Sequence, residues 1–352
     1  MIAEKKTDIL SLTKDEIAEL LSELSQKYNA RIERFRAGQI FSWLHGGACD
    51  FSEMTNLSKS LREILEKECY IATPKINKKF VSRLDGTVKY LFELYDGECI
   101  ESVFMRYKHG NTVCISSQAG CRMGCSFCAS TIAGFTRNLT PSEILGQVLA
   151  ATRDTGERVS NIVMMGIGEP LDNFDNVIKF LRLVNDKDGL NIGYRHISLS
   201  TCGLVPQIRR LSELDIPLTL SISLHAPNQC AREALMPIAK KYSIDELIGA
   251  CRDYTRDGGR RISFEYTMIE GKNDSPEKAY ELAKLLSGML CHVNLIPLNT
   301  VDGRDYRKSG KETIENFVKI LEKSGITATV RRRLGSDIDA SCGQLRASKI
   351  QK

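Results

Sequence analysis

Long apolar runs, a secretory leader and a strong excess of one charge are all missing from this sequence. No window of its 352 residues approaches the about 18 uninterrupted apolar residues that a membrane helix needs. The first residues lack the apolar stretch typical of secretion signals. The net charge is only +5, which does not by itself require a polyanionic partner. These absences predict a cytoplasmic protein that does not associate with membranes.

Aromatic and proline residues are also few, at 7% and nine residues, whereas 42% of the chain is hydrophobic. This ordinary composition excludes disordered and collagen-like chains. The length fits one large α/β unit with an appended domain. A reducing compartment argues against a disulfide framework for the 12 cysteines, so each is a ligand, a nucleophile or a small buried residue.

Apolar periodicity divides the chain into helices, a hairpin and a long alternating region. We expect a helical, RNA-docking domain over 1–74, a β extension over 75–106, an α/β core over 107–335 and a C-terminal loop and tail over 336–352. The core pattern predicts seven strands, at 112–117, 160–165, 195–200, 217–223, 261–268, 291–296 and 326–331. Between them, helices begin near 141, 174, 204, 243, 276 and 311. Six strand–helix units fall short of a full barrel, so we expect a partial (β/α)6 barrel.

Three cysteines stand at a spacing typical of metal ligation, directly after the first barrel strand: Cys121, Cys125 and Cys128. A structural zinc site needs a fourth Cys or His nearby, and this loop offers none. Three thiolates can instead hold a 4Fe–4S cluster while one iron stays open to bind a small molecule. The spacing therefore favours a cluster over a zinc ion or over cysteines that only pack.

Glycines and polar residues follow the other predicted strands, at the edge where barrel folds assemble their sites. Glycines allow close backbone approach, and a carboxylate can pair with an ammonium group. Each motif is weak alone, and an isolated histidine is more often a hydrogen-bonded structural residue. The candidate binding residues are Gly168, Glu169, Ser200, Ser223, Leu224, His225 and Asn299.

The cysteine spacing, with Phe127 before the last cysteine, resembles the radical S-adenosylmethionine superfamily. The resemblance implies a radical SAM barrel with one 4Fe–4S cluster per chain, whose open iron binds S-adenosylmethionine. Reductive cleavage of that molecule then yields a 5′-deoxyadenosyl radical. The resemblance also implies that Glu169 holds the methionine amine and that the other strand-end residues bind the same S-adenosylmethionine.

A narrower resemblance, to the RlmN/Cfr family of RNA adenine methyltransferases, covers roughly residues 30–346. Its motifs occur in order at 35–43, 114–118, 168–171, 223–228 and 339–345. The family mechanism implies that Cys342 becomes an S-methylcysteine intermediate, that Cys114 resolves a protein–RNA adduct, and that Glu101 is the proton acceptor. Two S-adenosylmethionine molecules are consumed per methylation. Without the resemblance, Cys114 would be interpreted as packing and Glu101 as a surface carboxylate.

The resemblance also implies the substrates and partners. The expected product is an adenine methylated at carbon-2, in the peptidyl transferase centre of 23S rRNA and next to the anticodon of tRNAs. Because Arg331–Arg333 precede the Cys342 loop, phosphate contacts would flank the site. We expect an electron donor such as flavodoxin, and a monomer. Two alternatives stay open: a Cfr-type enzyme that methylates carbon-8 of the rRNA adenine and confers antibiotic resistance, and a non-catalytic zinc-binding RNA module.

Overall fold

The computed structural model describes residues 6–258, 260–299, 304–332 and 334–338. No helix in these ranges is long and apolar enough to cross a membrane. The helices are α1 (Lys14–Lys27), α2 (Arg36–His45), α3 (Lys59–Glu68), α4 (Pro141–Thr155), α5 (Phe174–Asn185), α6 (Val205–Ser212), α7 (Gln229–Leu235), α8 (Ile244–Gly258), α9 (Pro276–Leu286) and α10 (Lys311–Lys323).

The strands are short and lie in three sheets. Two small sheets pair β1 with β2 and β7 with β8. The strands are β1 (Thr7–Asp8), β2 (Cys69–Tyr70), β3 (Lys75–Val81), β4 (Val88–Glu93), β5 (Cys99–Met105), β6 (Asn111–Cys114), β7 (Gln118–Gly120), β8 (Phe135–Asn138), β9 (Val159–Met164), β10 (Ile197–Thr201), β11 (Thr219–Ser223), β12 (Ile262–Met268), β13 (Cys291–Pro297) and β14 (Ala328–Val330).

The large sheet has ten strands in the order β14–β13–β12–β11–β10–β9–β6–β5–β4–β3. The seven strands from β14 to β6 are parallel, whereas β6, β5, β4 and β3 continue as an antiparallel ribbon. Helices connect the parallel strands, which gives six strand–helix units and a closing strand. The fold is the predicted α/β architecture, a partial (β/α)6 barrel with an N-terminal helical region and a β extension.

Helix starts in this chain are encoded locally. Thr13 Oγ1 accepts a hydrogen bond from the Glu16 N–H, and Glu16 Oε2 accepts one from the Thr13 N–H at 2.8 Å. Thr140 and Glu143 repeat this reciprocal arrangement before α4, where a proline occupies the first turn. The predicted helix start near 141 is therefore confirmed.

The helix α7 was not predicted, although it lies at the edge of the site. The Asn228 side chain caps it by accepting a hydrogen bond from the Ala231 N–H at 3.0 Å. The sequence pattern predicted a single helix from 243 after the fourth barrel strand. Seven residues make fewer than two full turns, which is too short for an apolar period to be recognised.

One continuous hydrophobic core joins the N-terminal helices to the barrel. Leu21 of α1 and Leu44 of α2 belong to the same buried cluster as Val148 of α4 and Val177 of α5. Because the two regions share a core, the barrel and the N-terminal helices hold a fixed relation through packed side chains.

Candidate active site

A cavity of about 270 Å³ opens where the parallel strands end. Parallel strands bring their carboxyl ends to one edge, so the residues after each strand meet there. All three predicted ligand cysteines line the cavity, and so do the predicted binding residues except Leu224. Leu224 is fully buried, and its N–H donates to the Glu265 carbonyl at 3.1 Å. The predicted lining residues are Cys121, Cys125, Cys128, Gly168, Glu169, Ser200, Ser223, His225 and Asn299.

The loop that carries the cysteines is held at several points. The Cys128 N–H donates to the Cys125 carbonyl at 3.2 Å, and Thr131 Oγ1 donates to the Cys128 carbonyl at 2.9 Å. The Ser126 N–H donates to the carbonyl of Leu235, the last residue of α7, at 2.9 Å. The loop lies between the paired strands β7 and β8, so its two ends are fixed beside each other.

The cysteine thiols suit a metal cluster chemically. Burial raises the pKa of Cys121 to about 12 and raises the pKa of Cys125 still further, so both are protonated at neutral pH in the metal-free chain. Metal binding must therefore displace their protons. No three His, Cys, Asp or Glu side chains within the described ranges are placed to hold a single metal ion. Three thiols on one wall of a cavity fit the donor set of a cluster that leaves one iron open.

The loop after β9 packs too tightly for any residue but glycine at two positions. A Cβ on Gly166 would lie 2.6 Å from the Ile115 carbonyl oxygen. A Cβ on Gly168, whose φ is +107°, would lie 2.6 Å from the Gln118 Cβ. This close approach brings the following residue, Glu169, into the cavity wall.

Glu169 is buried, and its carboxyl group orders two loops. One oxygen accepts a hydrogen bond from the Cys202 N–H at 2.7 Å, and the other accepts one from the Leu171 N–H at 3.0 Å. Burial nevertheless raises the pKa of Glu169. A carboxylate with spare lone pairs at a cavity wall is a suitable partner for a ligand ammonium group.

His225 has a left-handed backbone, with φ of +58°, and lies against the edge of the Phe127 ring, with ring centres 4.9 Å apart. Its Nδ1 accepts a hydrogen bond from the Thr267 N–H at 3.0 Å, so Nε2 carries the ring proton. Burial lowers the pKa of His225 to about 3, and the nearby Arg232 charge acts in the same direction. The imidazole is therefore neutral and offers one donor, Nε2–H.

Cys114 and Glu101 lie beside this cavity and not in its wall. In the sheet register Cys114 is paired with Val103 of β5 and Val163 of β9, so these side chains share one face. Val103, Met105 and Cys114 form a small buried group, the Cys114 cluster. Met165 packs against this cluster and also lines the cavity. Glu101 precedes Val103 by two residues and points to the same face.

Glu101 is paired with a lysine that sequence reasoning did not single out. Lys89 Nζ lies 3.1 Å from Glu101 Oε2, and the two side chains are 0% and 3% exposed. Such groups are rarely buried unless paired. Glu101 is therefore not the surface carboxylate that its local sequence suggested. One feature of the sequence indicated that Lys89 is buried, namely its position within the apolar run 88–92.

The segment before the expected methyl carrier is attached to the β3–β4 hairpin. Asp337 accepts hydrogen bonds from Ser82 Oγ at 2.7 Å and from the Arg83 N–H at 2.9 Å, and the Gly335 N–H donates to Asp85 at 2.8 Å. We call these contacts the hairpin clamp. Leu334 packs against the Cys114 cluster. Cys342 itself, like Arg333, lies outside the described residues.

Cys202 is not among the binding residues predicted from the sequence, yet it lines the cavity together with the three ligand cysteines. Its position directly after β10 was the signal that could have marked it, because the other site residues also follow strands.

Comparison with known proteins agrees with this architecture. Residues 115–283 match the model of the radical SAM superfamily, and residues 7–71 match that of the ribosomal RNA large subunit methyltransferase N-terminal domain. A crystal structure of a radical SAM methyltransferase from Sphaerobacter thermophilus superimposes with a TM-score of 0.92 at 44% identity, over 97% of this chain and 99% of that one. The fold and the cysteine-lined cavity define a radical SAM enzyme.

The chain is 56% identical to a protein of Alkaliphilus oremlandii over 99% of both chains. It is 53% identical to a protein of Clostridium novyi, over 98% of this chain and 99% of that one. Both relatives are named probable dual-specificity RNA methyltransferase RlmN. This chain belongs to the RlmN family of radical SAM methyltransferases. Membership implies a 4Fe–4S cluster and S-adenosylmethionine, and the alternative of a non-catalytic zinc module is wrong.

Proposed function

We propose that this chain methylates carbon-2 of adenine in RNA. The proposed targets are an adenine in the peptidyl transferase centre of 23S rRNA and the adenine next to the anticodon in tRNAs. One observation carries the proposal: three cysteines and the polar residues at the strand ends converge on one cavity. The dual-specificity RNA methyltransferase name of relatives that match the chain from end to end supports the choice of substrate.

In this proposal Cys121, Cys125 and Cys128 hold the cluster, and Glu169 holds the ammonium group of S-adenosylmethionine. Ser200, Ser223, His225 and Asn299 contribute neutral hydrogen-bonding groups around the rest of that molecule, together with the backbone of Gly168 and Leu224. When bound, the cluster and S-adenosylmethionine supply the reductive cleavage that creates a radical able to remove a hydrogen atom from a methyl group.

Two cysteines carry the carbon atom. The Cys342 thiolate takes a methyl group from one S-adenosylmethionine by displacement, releasing S-adenosylhomocysteine. A second S-adenosylmethionine is consumed in removing a hydrogen atom from this methyl group, and the methylene carbon then bonds to carbon-2 of the adenine. The adduct loses the carbon-2 proton and one electron, so the electron spent in the reductive cleavage is returned and the ring becomes aromatic again. The Cys114 thiolate attacks the Cys342 sulfur, so that an S–S bond forms, the S–C bond breaks and the methylene carbon gains a proton. A thiol reductant must reduce the disulfide before the next cycle.

Glu101 is the proposed acceptor of the proton that carbon-2 loses. Its place on the same sheet face as Cys114, two residues from the strand partner of that cysteine, supports this role. The ion pair with Lys89 fixes the direction of the carboxyl group.

RNA is proposed to approach past the carboxyl end of β14. Arg331 lines the cavity, and Arg332 follows it on the surface, so both can contact phosphates close to the reacting base. The adenine must leave its stack to enter the cavity, at a cost of a few kcal/mol that phosphate contacts offset. A flavodoxin-type electron donor and a monomeric state complete the proposal.

Product analysis tests the proposal. The full chain, reconstituted with iron and sulfide without oxygen, is incubated with S-adenosylmethionine, dithionite and unmethylated rRNA or tRNA, and the digested RNA is analysed by mass spectrometry. We expect 2-methyladenosine. A product of 8-methyladenosine would instead indicate the Cfr-type reaction, and the absence of methyladenosine from an iron-loaded sample would contradict both.

A matched variant tests the cluster ligands. Replacing Cys121, Cys125 and Cys128 by alanine should abolish iron binding and product formation. The single variant Cys230→Ala, at an exposed cysteine, is the control and should keep both. Full iron content in the triple variant would overturn the assignment.

A further inference from the structure

A completely buried arginine lies behind the cysteine loop. Arg232 of α7 is 0% exposed and is among the largest fully buried side chains of the described residues. Its Nη2 donates to the Cys202 carbonyl at 2.6 Å and lies 3.4 Å from the Ser223 carbonyl. Its Nε and Nη1 are buried with no acceptor among the described residues. The guanidinium is therefore only partly satisfied by the groups around it.

A buried guanidinium needs negative charge nearby, because taking an ion out of water without a counter-charge is strongly unfavourable. The titratable groups that interact with Arg232 are the thiols of Cys202, Cys125 and Cys251 and the neutral imidazole of His225, which supplies no negative charge. Carbonyl groups supply partial charge only. Since an arginine keeps its proton in almost all protein environments, the compensating anion has to come from the thiol side.

The cysteine loop, between β7 and β8, provides that negative charge through its thiolates. The carbonyl of Leu235, three residues after Arg232 on α7, accepts the hydrogen bond from the Ser126 N–H at 2.9 Å, so the helix and the loop are fixed together. Cys125 packs against the buried cluster that contains Cys202 and Leu235, and Arg232 donates to the Cys202 carbonyl, so the guanidinium lies behind the cysteine loop. When metal displaces the thiol protons, this loop becomes negatively charged next to α7, the helix that carries Arg232.

We propose that Arg232 supplies the positive charge that offsets the thiolate ligands and thereby raises the reduction potential of the cluster held by Cys121, Cys125 and Cys128. The inference rests on the proposed assignment of these cysteines. One electron from a donor adds one negative charge to the cluster and breaks no bond. A fixed positive charge stabilises the reduced state more than the oxidised state, and net charge is among the factors that set such potentials.

The alternative is that Arg232 only ties together the loops after β10 and β11 through the Cys202 and Ser223 carbonyls. Two variants separate charge from hydrogen bonding. Arg232→Lys keeps the positive charge but loses the planar fork of donors, and Arg232→Met loses both. If only hydrogen bonding matters, Arg232→Gln, whose amide still donates but carries no charge, should keep the parent potential.

The test is a redox titration of the reconstituted full chain, followed by the electron paramagnetic resonance signal of the reduced cluster. We expect Arg232→Met to shift the midpoint potential to a more negative value and Arg232→Lys to stay near the parent. The control is Arg252→Met, because Arg252 of α8 also donates to backbone carbonyls, those of Leu285 and Ser287, but is exposed. This control should leave the potential unchanged.

An unchanged or more positive potential in Arg232→Met, or equal shifts in the methionine and lysine variants, would overturn the inference. If Arg232→Met does not retain iron, Arg232→Gln takes its place, since an amide can still donate to the Cys202 carbonyl without the charge. The potential must then fall in Arg232→Gln. A parent chain without a cluster signal would count against the proposed function, whereas a parent signal with an unshifted variant would count against the role of Arg232 alone.

Discussion

At the scale of single residues, the buried ion pair between Lys89 and Glu101 is the feature that most constrains the proposed chemistry. Both side chains lie within the sheet extension, on the face that leads through Cys114 to the cavity. Replacing both members of a buried pair by apolar residues is often tolerated, whereas removing one leaves a buried charge. The ion pair therefore holds the Glu101 carboxylate at a buried position that an apolar residue could also fill.

Lys89→Met should destabilise the chain by about 3–5 kcal/mol, because the Glu101 carboxylate then loses the buried ammonium beside it. The double variant Lys89→Met/Glu101→Leu should recover most of that loss. Urea unfolding measures both. The surface pair of Lys79 and Asp154, 2.6 Å apart, provides the control, since Lys79→Met should cost no more than about 1 kcal/mol. If the double variant is as unstable as Lys89→Met, the unpaired Glu101 carboxylate is not the cause of the lost stability.

At the scale of structural elements, the hairpin clamp connects the β extension to the segment that leads to Cys342. Asp337 is held by Ser82 and by the Arg83 backbone, and Leu334 packs by Cys114. The five residues from 338 to 342 can span at most roughly 18 Å when extended. The clamp therefore limits how far Cys342 can lie from the hairpin.

Asp337→Ala should slow the methylation of Cys342 roughly 10-fold, since misplacement by about 1 Å can cost much more than that in a positioned reaction. Iron content should stay unchanged, because the clamp does not touch the cysteine loop. Peptide mass spectrometry of S-methylcysteine over time gives the rate. Asp188→Ala, which removes an exposed salt bridge to Lys14, is the control. Equal rates in both variants would contradict a positioning role for the clamp.

Sequence periodicity predicted the elements that have a regular apolar face. The seven parallel strands and the helices that begin at 141, 174, 276 and 311 agree with prediction because their patterns repeat over enough residues. The short elements α7, β7 and β8 were missed, because each has too few residues for an apolar period to be recognised. The order of strands made it possible to predict which residues meet at one edge.

Within the site, what the sequence could not predict were the buried charges. The spacing of the ligand cysteines and the residues after the strands can be recognised locally. Lys89 and Arg232 look like ordinary basic residues, because their burial depends on which elements pack over them. The same limit applies to Cys202, whose place in the cavity wall comes from the sheet order.

At the scale of the whole molecule, the N-terminal helices and the barrel meet around a buried histidine. His45 of α2 stacks on Phe41, and its ring packs against Gly189, where an added Cβ would lie 2.5 Å from Nδ1. Neither ring nitrogen has a hydrogen-bond partner among the described residues. Burial lowers the pKa of His45 to about 4.

This shift predicts loss of stability in acid. Below pH 6.5 the unfolded chain binds a proton at His45, whereas the folded chain does not until about pH 4. The free energy of unfolding should therefore fall as the pH drops through that window, by up to roughly 3 kcal/mol from this residue. His45→Leu should show a smaller fall, measured by urea unfolding across the window. His109 is exposed, so His109→Gln should show the same pH dependence as the parent. If the free energy of unfolding of His45→Leu falls with pH as steeply as that of the parent, the account is contradicted.

The central claim, that two cysteines pass the carbon between protein and RNA, is tested most directly in the Cys114→Ala variant. With Cys342 intact, methylation and attack on the adenine should proceed, but no thiol can release the product. The account predicts an RNA–protein species that migrates slowly on a denaturing gel under reducing, anaerobic conditions, and Cys342→Ala should give neither adduct nor product. Normal turnover by Cys114→Ala, or an adduct formed by Cys342→Ala, would contradict it.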